Sequence, residues 1–197
     1  DLQESLNRSG ASSELPDNYI FQAGNILKRL PFIDASFDFV HQRLLLANIP
    51  SVQWYAVLRE LVRVTRPGGW LELLEGHTTV GNAGVATEIW FSWRDAAGKL
   101  SGLDFSQMSN LDLLVRQMGL SYTSHTIDLP LGAWAGELGL LVQECMLAVY
   151  DDSVARYRRL GVSEHELVTL RAQLPVEWQE RCCQVSIFLV LIENKRL

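Results

Sequence analysis

The sequence predicts an open α/β sheet with helices on its faces, and three observations carry that expectation. Short β-rich runs alternate with stretches of helical periodicity along most of the chain. One run, Trp70–Glu75, is predominantly apolar, as suits a strand covered on both sides. The 197 residues are 48% hydrophobic and 20% charged, the make-up of one ordinary globular domain with a sizeable core.

Taken in order, residues 1–18 are polar and carry no pattern. Tyr19–Ala23 is a short β-rich run closed by Gly24-Asn25. A turn region, Leu30-Pro31-Phe32 and Asp34-Ala35-Ser36, precedes a second strand at Phe37–His41. Pro50-Ser51 opens a helix, because the first turn needs no donor from Pro and Ser can cap it. Val52, Tyr55, Val57, Leu58, Leu61, Val62 and Val64 then recur at helical spacing as far as Thr65. Pro67-Gly68-Gly69 stops that helix and turns the chain into the strand Trp70–Glu75. After the small-residue stretch Gly76–Gly84, helices are predicted over Val85–Leu100 and Leu111–Met118, and a strand over Leu120–Leu129. Two more helices follow, Glu137–Leu160 and Ser163–Leu174, the second opened by a capping box of Ser163 and Glu166. Val185–Ile192 is a final buried strand.

Charge and cysteine content narrow the function classes. A net charge of −6 and a pI near 5.2 argue against broad electrostatic binding to nucleic acid. Cys145, Cys182 and Cys183 make no disulfide framework, and no metal-ligand spacing joins them to the four histidines. The longest apolar runs, Ile187–Ile192 and Leu138–Val142, are far below the ~20 residues needed to cross a bilayer. No basic-then-apolar leader opens the chain, so the expectation is a soluble, cytoplasmic protein.

In open α/β sheets ligands sit outside the carboxyl ends of the strands, so the residues after Ala23, His41 and Glu75 are the ones to read. There the chain resembles class I S-adenosylmethionine-dependent methyltransferases, on three blocks in the expected order. The first runs from Pro16 through Leu27 to Leu30-Pro31-Phe32. The second, Phe32-Ile33-Asp34-Ala35-Ser36-Phe37-Asp38-Phe39-Val40, is similar to the family's Pro-Phe-x-Asp-x-x-Phe-Asp-x-Val. The third, Leu58–Leu71, matches the family's helix, Pro-Gly-Gly turn and following strand. Directly, the likeness covers about residues 16–75.

The resemblance implies a doubly wound, Rossmann-like sheet, mostly parallel with an antiparallel last strand. Tyr19–Ala23 would be its third strand, Phe37–His41 the fourth, Trp70–Glu75 the fifth, and Leu120–Leu129 with Val185–Ile192 the last two. The helices at about 130–183 would be an insertion over the acceptor pocket within a single domain. The family's glycine-rich loop has no counterpart before residue 16. On the family's pattern, Asp1 stands at the end of the second strand, with the first strand, its loop and the first helix missing.

The implied cofactor is S-adenosylmethionine. Asp1 would accept hydrogen bonds from the ribose hydroxyls and Leu2 would pack on adenine. Gly24, Asn25 and Ile26 would meet the adenine edge, with the Asn25 carbonyl in place of the family's acidic residue. Gln42, Arg43 and Leu44 would lie along the methionine part. No catalytic base is identified, and His41, Glu75 and His77 are weak candidates for it. His77, Trp90 and Trp93 would line the acceptor site, although core packing is the alternative for both tryptophans. The expected activity is methyl transfer to O, N or C of a small molecule. A scaffold of this fold without turnover is the main alternative, and a nicotinamide oxidoreductase ranks below it.

Overall fold

A computed structural model describes residues 16, 18–45, 48–105 and 111–194. Among the described residues, four strands and five α-helices follow one another as β1 (Phe37–Arg43), α1 (Trp54–Val64), β2 (Thr65–Gly81), α2 (Val85–Leu100), α3 (Leu111–Gln117), β3 (Ser121–Pro130), α4 (Gly136–Arg159), α5 (Glu164–Glu180) and β4 (Gln184–Glu193). The strands form one sheet in the order β1-β2-β4-β3, with β1 and β2 parallel and β4 antiparallel to both its neighbours. The predicted α/β architecture with an antiparallel last strand therefore stands.

The β1-α1-β2 crossover lays α1 on one face of the sheet. Its buried positions Trp54, Val57, Leu58, Leu61 and Val62 repeat every three or four residues and pack on Leu71, Leu73, Val190 and Ile192. The Pro-Gly-Gly turn has a mechanical explanation. Gly68 adopts φ +74, and a side chain at Gly69 would collide with the backbone carbonyl of Asp38 on β1. Asn194 closes the turn, donating from Nδ2 to the Thr65 carbonyl at 2.7 Å while its own carbonyl receives the Gly68 N–H. A second pin joins the first two motif blocks to the third. Arg63 reaches the carbonyls of Leu30 and Phe32 and the carboxylate of Asp34, and Glu60 accepts from the Leu30 N–H. The hydrogen-bonded guanidinium of Arg63 holds the Glu60 carboxyl below its ordinary pKa.

Three expectations need correction. Tyr19–Ala23 forms no strand. A strand exists only through its neighbours' hydrogen bonds, and the resemblance separates this segment from β1 by two strands that the described residues do not supply. Trp70–Glu75 is covered on one face only. Leu71 and Leu73 are fully buried, whereas Trp70 is 44% exposed and shares the open face with Phe39, His41 and Glu72. The last helix runs past Leu174 to Glu180 despite Pro175. Leu170, Leu174 and Trp178 are all buried on one helical face, and that burial outweighs the lost backbone bond.

Past Gly76 the pairing of β2 with β4 is interrupted. β2 advances from Gly76 to Val80 while β4 moves only from Ile187 to Val185, a bulge after which the two strands continue to Gly81 and Gln184. Around this extension α2, α4 and α5 assemble a separate core, in which Val80, Trp90, Leu131, Tyr150, Tyr157, Leu174, Trp178 and Cys183 are buried. Among the described residues no helix is long and apolar enough to cross a membrane.

Candidate functional site

The carboxyl ends of the two parallel strands part just beyond Arg43 and Leu74, their last paired residues. The Leu44 N–H still bonds the Leu74 carbonyl at 2.9 Å, but Leu44 takes φ +52, a left-handed conformation that costs an L-residue roughly 1–2 kcal/mol. Strain of that kind gathers where surrounding structure must aim a backbone at a ligand. Below the fork lies Glu75, 3% exposed. One of its carboxylate oxygens, Oε1, accepts from Gln42 Nε2 and, at 2.9 Å, from the Leu45 N–H. The brace turns the Gln42 amide so that Oε1, buried like the rest of the side chain, has no hydrogen-bond partner. A buried, unpaired acceptor costs about 1–3 kcal/mol unless something donates to it.

The other expected residues are placed as follows. Gly24, Asn25 and Ile26 form a turn in which Asn25 Oδ1 accepts the Leu27 N–H at 2.9 Å and the Asn25 carbonyl accepts from Lys28. One lone pair of that oxygen is therefore already engaged. Arg43 and Leu44 are exposed at the fork. His41 sits mid-strand on the open sheet face, its Nδ1 2.6 Å from Glu72 Oε1. It is not beside Glu75, which serves as the brace. Trp90 is 1% exposed, donates from Nε1 to the Tyr157 hydroxyl at 2.8 Å, and belongs to the core. Trp93 is half-buried against Tyr157. His77 lies in the bulged part of β2, and its side chain, like all of Asp1 and Leu2, falls outside the described residues. Among the described residues no group of three His, Cys, Asp or Glu could hold a metal.

Sequence reasoning missed Glu177. This α5 carboxylate accepts from the backbone N–H groups of Gly84 (3.1 Å), Ala86 (2.7 Å) and Thr87 (3.0 Å), and from the Thr87 hydroxyl (2.6 Å). It caps α2, whose own N-cap is Gly84 with no side chain to do so. Burial would raise its pKa, but the bonds from Thr87, Ala86 and Gly84 together outweigh burial and hold it below the ordinary value. No local signal could have found this cap, because its partners are 90 to 93 residues away.

A family model described as a methyltransferase domain matches residues 3–73, the stretch that contains β1, α1 and the first half of β2. Over that stretch the chain is similar to methyltransferase domains. Curated methyltransferases are similar to parts of the chain. The methyltransferase str3 of Strobilurus tenacellus is 44% identical over 57 residues, covering 29% of this chain and 20% of the relative. The N-methyltransferase tcpN of Claviceps purpurea is 36% identical over 89 residues, covering 43% of this chain and 31% of the relative. The matched stretches thus span less than a third of those relatives' lengths. Among solved structures, a Bacillus halodurans protein assigned as a methyltransferase superposes with a TM-score of 0.54 at 13% identity, over 98% of this chain and 78% of that one. Geranyl diphosphate methyltransferase, solved in complex with S-adenosylmethionine, does so at 0.50 and 15% identity, over 97% and 64%. At such identities the likeness is one of fold.

Proposed function

We propose that this chain contributes the cofactor fork and the acceptor side of an S-adenosylmethionine-dependent enzyme that methylates O, N or C of a small molecule. The observation that carries this reading is the unpaired Gln42 Oε1 at the parted ends of two parallel strands. An acceptor fixed by Glu75 and left without a donor fits a ligand that brings one, such as the ammonium of the methionine part. Gly24, Asn25 and Ile26 would border the adenine, Arg43 and Leu44 the methionine chain, and Asp1 and Leu2 the ribose and base. When bound, the sulfonium supplies an already activated methyl group, so the protein's task is chiefly to position the acceptor and exclude water. His77 and Trp93 would face the acceptor, beside the helices between β3 and β4, which would form its cap. No general base is assigned, since His41 lies mid-strand rather than at the fork and Glu75 is held by the brace.

An acidic pI supports a small acceptor over a nucleic acid. Three free thiols fit a reducing, cytoplasmic setting. Calorimetric titration of the full-length gene product with S-adenosylmethionine tests the reading. Binding is expected, at least tenfold weaker in Gln42→Met when read below that variant's own melting transition, which loss of the donor to Glu75 should lower. A folded protein that takes up no S-adenosylmethionine would overturn it and leave a scaffold without turnover.

A further inference from the structure

We propose that Glu177 is a positioning residue for the acceptor side, through which the two-helix insertion holds the loop after β2 in place. This deepens the functional reading above and rests on it for the word acceptor, though not for the mechanics. The carboxyl end of β2 is the ligand edge of a parallel sheet. Leaving it, the chain passes Asn82 in a left-handed conformation, φ +59, and enters α2 at Gly84. Left alone, that first helical turn would present unpaired N–H groups. The Glu177 carboxylate takes three of its neighbourhood's backbone donors together with the Thr87 hydroxyl, and no side chain could replace Gly84 without overlapping it.

The surroundings make this a clasp rather than an isolated cap. Trp178 Nε1 donates to Thr87 Oγ1 at 2.9 Å, Arg181 Nε to the Asn82 carbonyl at 2.8 Å, and Asn82 Nδ2 to the carbonyl of Cys182. Cys182 is itself left-handed at φ +48, so two strained residues face each other across the join. Strain at both ends of a join persists only while the bonds around it over-determine the geometry. The bulge between Gly76 and Val80 separates this clasped region from the sheet body, which gives it a place to move independently.

The test compares wild type with Glu177→Gln, which keeps the shape but turns an amide toward backbone donors, and with Glu177→Asp, which keeps the charge and shortens the reach. Hydrogen exchange is read at the amides of residues 82–90 and at those of Leu71–Leu73 in the sheet body, alongside calorimetry with S-adenosylhomocysteine. In Glu177→Gln, exchange at 82–90 should rise at least tenfold while Leu71–Leu73 and S-adenosylhomocysteine affinity stay within twofold, and Glu177→Asp should recover part of the protection. Unchanged exchange at 82–90 would overturn the proposal. So would an equal loss at Leu71–Leu73, which would make Glu177 a merely structural brace. Failure of wild type to bind S-adenosylhomocysteine would sink the functional reading and leave the exchange comparison readable.

Discussion

The two cores of the molecule treat their polar atoms in opposite ways. In the helical core the buried aromatic residues find partners for their polar atoms: Trp90 with Tyr157, Tyr150 with the Leu167 carbonyl, Trp178 with Thr87. Burial still leaves its mark there, pushing the Tyr150 hydroxyl up to about 12 and the Cys183 thiol up to about 11. The core under the sheet is mostly aliphatic, yet among the described residues it and the strand end beside it hold the two buried side-chain atoms without partners, Trp54 Nε1 and Gln42 Oε1. A satisfied aromatic cluster needs nothing more, whereas the unsatisfied acceptor at a strand end is the feature on which the proposed cofactor contact rests.

The largest test of this contrast removes bulk from each core. Trp178→Ala should cost about 3–5 kcal/mol, since the ring is fully buried among Trp90, Thr87 and Leu174. Leu73→Ala in the sheet body should cost about 2–5 kcal/mol. Urea denaturation followed by both fluorescence and far-UV dichroism reads the two. If the cores are separate cooperative units, the two probes will diverge in Trp178→Ala and coincide in Leu73→Ala. Coincident transitions in both would merge the cores into one.

A finer cut exchanges only the polar atom. Trp90→Phe takes the indole donor from the buried Tyr157 hydroxyl and should cost about 2 kcal/mol. Trp54→Phe deletes an N–H that has no partner, so it should fall within about 1 kcal/mol of wild type. Equal costs for the pair, measured by the same denaturation, would erase the distinction between a satisfied and an unsatisfied core.

The same division governs what could be read from sequence. Blocks around the sheet body were legible because their logic is local: a Pro-Gly-Gly turn needs a left-handed Gly68 and a bare Gly69, and the apolar spacing of α1 fixes its buried face. The capping box of Ser163 and Glu166 is equally local and forms as expected. Illegible features were those whose partners are remote. Nothing near Glu177 announces α2 as its client, and nothing near Pro175 announces that burial of Trp178 carries the helix through. At the site, the strand-end rule pointed to Gln42 and Glu75 but not to their mutual bond, because the parity of β2 decides that Glu75 turns inward with Leu73. Tyr19–Ala23 looked like a strand because propensity is a property of a segment and pairing is not.

Acid should act on the helical core through Glu177. Its folded pKa lies below the ordinary 4.5, so its contribution is fully present above that value and is lost as pH falls through the folded pKa. The midpoint of urea unfolding should therefore drop more steeply below about pH 4.5 in wild type than in Glu177→Gln. Parallel pH profiles for the two proteins would show that the carboxylate's bonds do not stabilise the charged form.

The smallest effect expected is also the sharpest control, because it uses the same chemistry in the other setting. Asp151 on α4 and Arg171 on α5 form a two-pronged pair, 2.7 and 2.8 Å, with both side chains nearly half exposed. Like Glu177, Asp151 joins two helices of the same core through short charged bonds. Unlike Glu177, it meets water, and its partner is a long flexible cation rather than fixed backbone donors. Exposed pairs typically contribute about 0.2–1 kcal/mol and are screened by salt. Asp151→Asn should thus lower stability by less than about 1 kcal/mol, a loss that 0.5 M sodium chloride largely abolishes, while the cost of Glu177→Gln should survive that salt. Were both losses to shrink alike, the cap would be an ordinary surface ion pair, and the stiffness attributed to the clasp would have to come from packing of Trp178 alone.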